Sequence, residues 1–226
     1  MTIREIVLDT ETTGLDPDAG HRIVEIACVE LINHLPSGRT FQRYLNPERD
    51  MPTEAQAVHG LTTEFLAGQP LFSAIVDEFL EFIGDAPLVI HNAEFDLKFV
   101  NAELKKLGRS KLQAQRAVDT VQLARRKFPG APASLDALCG RFSIDNSSRT
   151  LHGALLDAQL LSEVYLELVG GRQATIELVA GPVATVATAT IERAVRPARP
   201  HAPSAEELAA HAALLEKIKA PLWLEA

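Results

Sequence analysis

Four carboxylates and one histidine, in three separated segments, carry the chemistry that this sequence suggests. Asp9 and Glu11 lie in LDTETTG, Asp96 lies in HNAEFDLKF, and His152 and Asp157 lie in HGALLDAQL. If the fold brings these segments together, the side chains form an acidic pocket for two divalent metal ions with a base beside it. Oxygen ligands without a cysteine cluster favour Mg²⁺ or Mn²⁺ over zinc.

Such a pocket suits the hydrolysis of a phosphodiester. In a two-metal site, one ion activates water and the other stabilises the leaving oxygen. The water must still lose a proton, and an imidazole with an unperturbed pKa of about 6.5 can accept it near neutral pH. His152 is therefore the candidate general base.

The first segment also has a simpler structural interpretation. Asp9 and Glu11 follow an apolar run, and residues two apart on a strand project to the same face of a sheet. Two carboxylates this close repel each other, and no Lys or Arg lies between Arg4 and Arg22 to offset the repulsion. The alternative is an Asp-Thr turn that caps the strand end and leaves Glu11 in solvent.

The other two segments are equally ambiguous when each is taken alone. Asp96 follows the apolar run in PLVIHN and could be an ordinary acid in the first turn of a helix. His152 and Asp157 are five positions apart, which is about 140° on a helix, so they cannot share a helix face. His152 is therefore predicted just before or within the first helical turn, where a histidine is commonly a capping or loop residue. Only the combination of all three segments favours a site.

The predicted elements form an alpha/beta fold. Runs typical of strands cover residues 3–9, 23–32 and 40–45, and their short polar connections favour an antiparallel meander. Helical spacing covers residues 72–83 and ends at Gly84. Strands near residues 88–91 and 117–119 then alternate with helices, which predicts a mixed sheet with helices on its faces. The carboxyl ends of strands are where such proteins gather ligands.

Charge and composition are compatible with a nucleic acid substrate without proving one. The net charge is −8, but residues 95–150 hold 11 Lys and Arg against 5 Asp and Glu. This basic stretch could follow a phosphate backbone or could be a solvated helix face. The two cysteines, Cys28 and Cys139, are predicted to be buried free thiols. No apolar run is long enough to span a membrane, so a cytoplasmic location is expected.

The C-terminal part differs in composition from the rest. We predict one domain at residues 1–171, a flexible linker at residues 172–203, and a tail at residues 204–226. Ser204 and Glu207 form a capping-box pattern that starts a helix. An apolar stripe and a tryptophan follow, which either fold back on the domain or dock in a partner's groove, and the second is favoured. The stripe and its end comprise Leu208, His211, Leu215, Ile218 and Trp223.

The three motifs resemble those of the DEDD exonucleases, in the subgroup that uses a histidine. HGLTTEFL, FPG, SLDALC and EVYLELVGG are similar to segments of one family within it, the epsilon proofreading subunits of bacterial DNA polymerase III. The resemblance implies a ribonuclease H-like fold and a 3'-to-5' DNA exonuclease that releases nucleoside 5'-monophosphates. It also implies His152 as the general base, and as metal ligands Asp9, Glu11, Asp96 and Asp157.

The same resemblance implies contacts to a single-stranded 3' DNA end. The family's pocket for the terminal nucleotide lies beside the first motif and near a histidine that His59 matches. Structural roles remain open, because Gly14 could end a strand turn, Phe95 could pack a helix and His59 could cap a loop. The implied substrate contacts are Thr10, Thr12, Gly14, Val58, His59, Asn92 and Phe95.

Two protein partners are implied as well. In the epsilon family the tail binds the catalytic alpha subunit of the polymerase, for which Leu208, Leu215 and Trp223 are the candidate contacts. A segment from Gln173 to Leu178 is similar to the family's short sliding-clamp motif. The alternatives are an exonuclease of the same superfamily acting on RNA or oligonucleotides, and a scaffold subunit that stabilises the polymerase.

Overall fold

The first compact unit of the chain is built on one five-stranded sheet. The computed structural model describes residues 2–147, 149, 151–170 and 202–218, and the chain divides into units at residues 1–176 and 177–226. The strand order is β3-β2-β1-β4-β5. The strands are β1 (Arg4–Thr12), β2 (Ile23–Ile32), β3 (Leu35–Tyr44), β4 (Leu88–Ile90) and β5 (Ala117–Asp119).

The pairing of the strands confirms the predicted mixed sheet. β1 pairs antiparallel with β2, and β2 pairs antiparallel with β3, so the meander is present. β1 also pairs in parallel with β4, and β4 pairs in parallel with β5. β1 continues to Thr12, beyond the predicted end at residue 9, because its pairing with β2 continues through Glu11. This extension places Glu11 inside the strand instead of in a solvated turn.

Seven helices of the first unit flank the sheet among the residues that the structure describes. The helix predicted at residues 72–83 is confirmed and ends at Gly84. Two short 3-10 turns cover Pro17–Ala19 and Ala114–Arg116. The helices are α1 (Thr53–His59), α2 (Thr63–Ala67), α3 (Phe72–Ile83), α4 (Ala93–Lys106), α5 (Thr120–Lys127), α6 (Leu135–Phe142) and α7 (Ala154–Val169).

Apolar clusters cover both faces of the sheet. Ile6 and Leu8 join one cluster with Phe79 of α3, whereas Val7 joins a second cluster with Leu161 of α7. Neighbouring residues of β1 therefore point to opposite faces, as a strand requires. Cys28 and Cys139 are buried and free, as predicted.

Helix α7 is attached near both ends to buried carboxylates of the sheet. The backbone N–H of Ala154 donates to Glu25 Oε2 at 3.1 Å, and the hydroxyl of Tyr165 donates to Glu5 Oε1 at 2.6 Å. Burial raises the pKa of the Tyr165 hydroxyl, which keeps it protonated as the donor. These bonds fix the position of the helix that carries Asp157.

The second unit contains α8 (Ala205–Leu215) among its described residues. Ser204 caps this helix and forms the predicted capping box with Glu207. The helix is shorter than the predicted stripe, because it ends before Ile218. Gln173, Leu178 and Trp223 lie outside the described residues, so the assignments made to them, and the three-part division of the chain, stay predictions. No helix within the described ranges has the length and apolarity needed to cross a membrane.

Candidate active site

Asp9 and Glu11 lie near the carboxyl end of β1, at the centre of the sheet. Glu11 pairs across the strands with Glu25 of β2, so two carboxylates face each other. Burial is the main cause that raises the pKa of Glu11 to about 8, and the charges of Asp157 and Glu25 contribute to the same increase. Burial and the neighbouring charge of Asp96 raise the pKa of Asp9 well above its ordinary range. The charge of Arg149 acts on Glu11 in the opposite direction.

Asp96 lies in the first turn of α4 and is buried. The hydroxyl of Thr10 donates to its Oδ1 at 2.7 Å, which links α4 to β1. Burial raises the pKa of Asp96 to about 7, although the hydrogen bond from Thr10 acts in the opposite direction. Asp96 and Asp9 are near enough for each to contribute to one acidic cluster.

His152 and Asp157 reach the cluster from the start of α7. The helix begins at Ala154, so His152 lies just before its first turn, as predicted. The backbone N–H of His152 donates to the carbonyl of Val58 at 3.0 Å, which fixes the chain there. Glu11, His152 and Asp157 each offer a ligand atom, and these atoms lie within 4.8 Å of one another. Asp9 and Asp96 lie outside this closest group.

Arg149 is a central residue of the site that the sequence did not identify as such. Its side chain is 8% exposed, and its guanidinium donates to both oxygens of Asp157, at 2.5 and 2.7 Å. It also donates to both oxygens of Asp136 at 2.8 and 2.9 Å. The nitrogen that donates to Oδ2 of Asp157 also lies 3.0 Å from Nδ1 of His152. Arg149 is thus an internal counterion and does not belong to a DNA-facing surface.

Other cations of the basic stretch also bind to groups of the protein itself. Arg116 donates to the backbone carbonyls of Ala86 and Ile83. These two residues lie where the chain passes from α3 to β4. Lys98 pairs with Asp16 at 2.7 Å, and Arg109 pairs with Asp77 at 2.6 Å. The excess of positive charge in this stretch therefore overstates the charge that is free to meet a phosphate backbone.

Glu25 is a second residue that sequence reasoning missed. It is buried, and it accepts from Gln42 Nε2 at 2.7 Å as well as from the start of α7. Burial raises its pKa. A carboxylate inside the apolar run of β2 was the signal that could have identified it.

A cavity of about 540 Å³ opens beside the carboxylates. It is lined in part by His59, which is buried and whose Nε2 has no hydrogen-bond partner among the described residues. Burial lowers the pKa of His59, and its Nδ1 accepts from the backbone N–H of Leu61 at 3.1 Å, which is the loop cap considered above. The predicted substrate contacts on this cavity are Thr10, Thr12, Gly14, Val58, His59 and Phe95.

Asn92 is the predicted substrate residue that the structure does not bring to this cavity. It precedes α4 with a left-handed backbone, φ 68°, and makes no side-chain cap. It lines a different cavity, of about 1190 Å³, beside β5 and α5. The other six predicted substrate residues line the 540 Å³ cavity.

His21 and Thr13 line the 540 Å³ cavity but were not predicted. The ring of His21 covers Gly14 so closely that a Cβ at that glycine would lie 2.3 Å from it. Nδ1 of His21 lies 3.2 Å from the hydroxyl of Thr13, which fixes the ring. Gly14 is therefore required for the close approach of the ring, and no sequence pattern indicated this contact.

The residue types fit divalent metal ions. Asp9, Glu11 and Asp96 are acids whose pKa values are raised where they lie, so a cation would offset the mutual repulsion. All are hard oxygen donors, as Mg²⁺ and Mn²⁺ require. Arg149 supplies one positive charge to a cluster with several negative ones. The arrangement can therefore hold cations next to an imidazole and an open cavity.

Comparisons with known proteins agree with this arrangement. A family model described as Exonuclease matches residues 6–165. The DNA polymerase III subunit epsilon of Rickettsia prowazekii is 50% identical over 227 residues, which cover 96% of this chain and 97% of that protein. The subunit of the same name from Escherichia coli K12 is 45% identical, with 96% and 93% covered.

Solved structures of nucleases share the fold. Exonuclease X in complex with 5' overhanging duplex DNA superposes with a TM-score of 0.57 and 25% identity, covering 73% of this chain and 90% of that one. The nuclease domain of 3'hExo, a DEDDh family member bound to rAMP, gives a TM-score of 0.64 at 19% identity, with 74% and 91% covered. Because the identity to 3'hExo is only 19%, this second similarity concerns the fold alone.

Proposed function

We propose that this chain, which belongs to the exonuclease family and aligns over nearly its full length with DNA polymerase III epsilon subunits, is the 3'-to-5' proofreading exonuclease of a replicative DNA polymerase. It is a hydrolase of phosphodiester bonds. One structural observation carries the proposal. Ligand atoms of Glu11, His152 and Asp157 lie within 4.8 Å of one another, beside buried Asp96 and an open cavity.

The acidic cluster is proposed to hold two divalent cations, Mg²⁺ or Mn²⁺. The ligands are Asp9 and Glu11 from β1, Asp96 from α4 and Asp157 from α7. When bound, two such ions activate water and stabilise the leaving oxygen of a phosphodiester. The chain's own contribution is to hold these acids together in a buried place, and burial together with neighbouring charge raises the pKa values of Asp9, Glu11 and Asp96.

His152 is proposed to accept the proton of the attacking water. Its side chain is 47% exposed, so solvent reaches the ring, and its backbone is fixed to Val58. A general base must lie within hydrogen-bond reach of the proton that it removes. The position just before α7 supports this role, because the ring is beside Asp157 and Glu11.

The 540 Å³ cavity is proposed to receive the 3'-terminal nucleotide. His59 offers the unpartnered Nε2, Phe95 offers an aromatic ring, and Gly14 lies in the wall beneath the ring of His21. Thr10, Thr12 and Val58 complete the proposed contacts on this cavity, while Asn92 lines the other cavity. A mispaired end frays more readily than a paired one, so selection for mismatches needs no reading of the bases.

The partner is proposed to be the catalytic subunit of the polymerase, reached through residues 204–226. Leu208 and Leu214 of α8 are each more than half exposed, which suits docking in an apolar groove. Trp223 would extend this contact, and the segment from Gln173 to Leu178 is proposed to bind the sliding clamp. A subunit of a bacterial replicative polymerase acts on the chromosome, so we propose a cytoplasmic location for this chain.

Hydrolysis of 3'-labelled single-stranded DNA and RNA tests the function. We expect the wild-type chain with Mg²⁺ or Mn²⁺ to release nucleoside 5'-monophosphates from DNA. His152→Ala is expected to be slower by about 100-fold or more, the usual contribution of a general base. Asp9→Ala is expected to abolish hydrolysis. A preference for RNA would favour the RNA exonuclease alternative, and full activity of Asp9→Ala would favour the scaffold alternative.

A further inference from the structure

The guanidinium of Arg149 lies where a cation is needed. It is buried, and it contacts Asp157, Asp136 and His152 at the same time. Among the described residues, the contacts to Asp157 use both of its carboxylate oxygens. Asp157 belongs to the group of ligand atoms that lie within 4.8 Å of one another. A divalent ion held by that group would therefore compete with Arg149 for the same oxygens.

Charge makes the competition stronger. A guanidinium cannot be deprotonated in a protein, so it keeps its positive charge at every working pH. A divalent ion beside it in a buried site would be repelled, because like charges interact strongly where water is scarce. Repulsion between the two cations therefore favours movement of the arginine away from Asp157 when a divalent ion binds.

Arg149 also determines which nitrogen of His152 carries the proton. Arginine has only donors, so at 3.0 Å its N–H donates and Nδ1 of His152 accepts. The neutral ring then carries its proton on Nε2, and neither nitrogen has a lone pair free for water. His152 cannot act as a base in this arrangement. Departure of Arg149 lets the proton move to Nδ1 and frees Nε2 to accept another.

Asp136 gives Arg149 a place to remain after such a departure. Its carboxylate is 59% exposed, and it receives a different guanidinium nitrogen from the one that contacts His152. Arg149 can therefore release Asp157 while it keeps its outer ion pair. A short movement is sufficient, because the two carboxylates are joined through one side chain.

We propose that Arg149 is a cationic placeholder, which holds Asp157 and Nδ1 of His152 until a divalent cation displaces it and thereby releases the base. Arg149 is a positioning residue and not a catalytic one. The inference rests on the proposed metal-dependent hydrolysis, and it adds an ordered exchange of one cation for another. The placeholder keeps the acidic cluster folded before the metal enters.

Binding of Mg²⁺ alone to the metal-free full chain, measured by calorimetry, tests the exchange. Arg149→Met removes the competitor and is expected to bind Mg²⁺ about tenfold more tightly, which corresponds to about 1.4 kcal/mol. Arg149→Lys keeps the charge but loses the planar fork, so a smaller gain in affinity is expected at unchanged net charge. Arg126→Met removes an exposed charge on α5 and measures the general electrostatic effect.

The sign of the change decides the test. Equal or weaker Mg²⁺ binding by both Arg149 variants, relative to Arg126→Met, would overturn the placeholder, because it would mean that Arg149 supports the metal site. If Arg149→Met does not fold without metal, Arg149→Lys alone gives the decision. Circular dichroism at each titration point verifies that the chain is folded.

The tautomer of His152 gives a second readout that a merely structural arginine would not change. Nitrogen-15 NMR of the metal-free wild type is expected to show the proton on Nε2, and Arg149→Lys is expected to lose this preference. A proton on Nδ1 in the metal-free wild type would contradict the proposal.

The wild-type hydrolysis assay separates the two proposals. Hydrolysis of DNA with no gain of affinity in the variants would remove the placeholder and leave the function. Tighter Mg²⁺ binding by the variants in a chain that does not hydrolyse DNA would remove the proposed function and leave the competition between Arg149 and the metal ion.

Discussion

At the scale of single residues, the site keeps Asp9, Glu11 and Asp96 where burial and neighbouring charge raise their pKa values. Burial is the larger cause for Asp9, Glu11 and Asp96, and neighbouring charge is the smaller one for Asp9 and Glu11. The folded chain without metal therefore retains protons that the unfolded chain releases. Stability and metal binding are linked through these protons.

Stability of the metal-free chain should fall as the pH rises. The pKa of Glu11 is 4.5 ordinarily and about 8 in the fold, so between these values the folded state binds more protons than the unfolded one. The contribution of Glu11 is complete below about pH 4.5 and is lost as the pH passes about 8. Urea denaturation at pH 5, 6.5 and 8 with a chelator should show decreasing free energies of unfolding, and saturating Mg²⁺ should remove most of the decrease. A free energy of unfolding that rises over this range would be inconsistent with the acidic cluster.

Gly14 should be intolerant of a side chain. A Cβ there lies 2.3 Å from the ring of His21, which must move into the cavity or away from Thr13. Gly14→Ala is expected to raise KM for single-stranded DNA by about tenfold, which corresponds to about 1.4 kcal/mol, because the displaced ring would occupy space in the cavity. Gly68→Ala is the matched control, because nothing lies within 4 Å of its Cβ. Equal KM values for the two variants would show that His21 does not shape the cavity.

At the scale of elements, the site depends on how α7 meets the sheet. Glu25 accepts from the first residue of that helix and from Gln42, so it fixes the segment that carries His152 and Asp157. The bonds at this end act together with the Tyr165 bond to Glu5 at the other. Asp157 is thereby held against β1.

Replacement of Glu25 should disturb this attachment. Glu25→Ala leaves the N–H of Ala154 and the amide of Gln42 without their acceptor, and each unmet buried donor costs about 1–3 kcal/mol. The free energy of unfolding with Mg²⁺ should fall by about that amount, and kcat should fall with it. Glu25→Gln keeps one oxygen acceptor and should lie between Glu25→Ala and wild type. A fully stable and active Glu25→Ala chain would show that α7 does not need this attachment.

The elements were predictable where apolar periodicity is strong and less so where pairing decides. β2 and α3 were predicted with their observed bounds because their apolar runs are long and end at turn residues. β3 begins at Leu35, earlier than predicted. Its first residues are in the strand because they pair with β2, although they show no apolar pattern. The role of Arg149 was not predictable, since its partners Asp136 and Asp157 come from two helices that meet only in the fold.

At the scale of the whole molecule, the two units are proposed to divide the work between chemistry and attachment. The first unit has its own core on both faces of the sheet and holds every residue of the candidate site. The three motifs made this site predictable from sequence, whereas the separate cavity at Asn92 was not. The second unit offers α8 with exposed leucines.

A charge on the apolar side of α8 should separate attachment from chemistry. Leu208→Glu is expected to weaken binding to the polymerase catalytic subunit by at least about tenfold, because burying an unpaired charge in an apolar groove is unfavourable. Hydrolysis of single-stranded DNA should be unchanged. Ala213→Glu, on the side of the same helix away from Leu208 and Leu214, is the control, and surface plasmon resonance measures both. Equal binding of the two variants would contradict docking through the leucine face.

Anomalous diffraction from crystals of the full chain grown with Mn²⁺ and a nucleoside 5'-monophosphate tests the central claim most directly. We expect two anomalous peaks among the carboxylates of Asp9, Glu11, Asp96 and Asp157, with Arg149 turned toward Asp136 and the nucleotide in the cavity beside His59. Carboxylates free of Mn²⁺ at saturating concentration, with Arg149 still on both oxygens of Asp157, would contradict it.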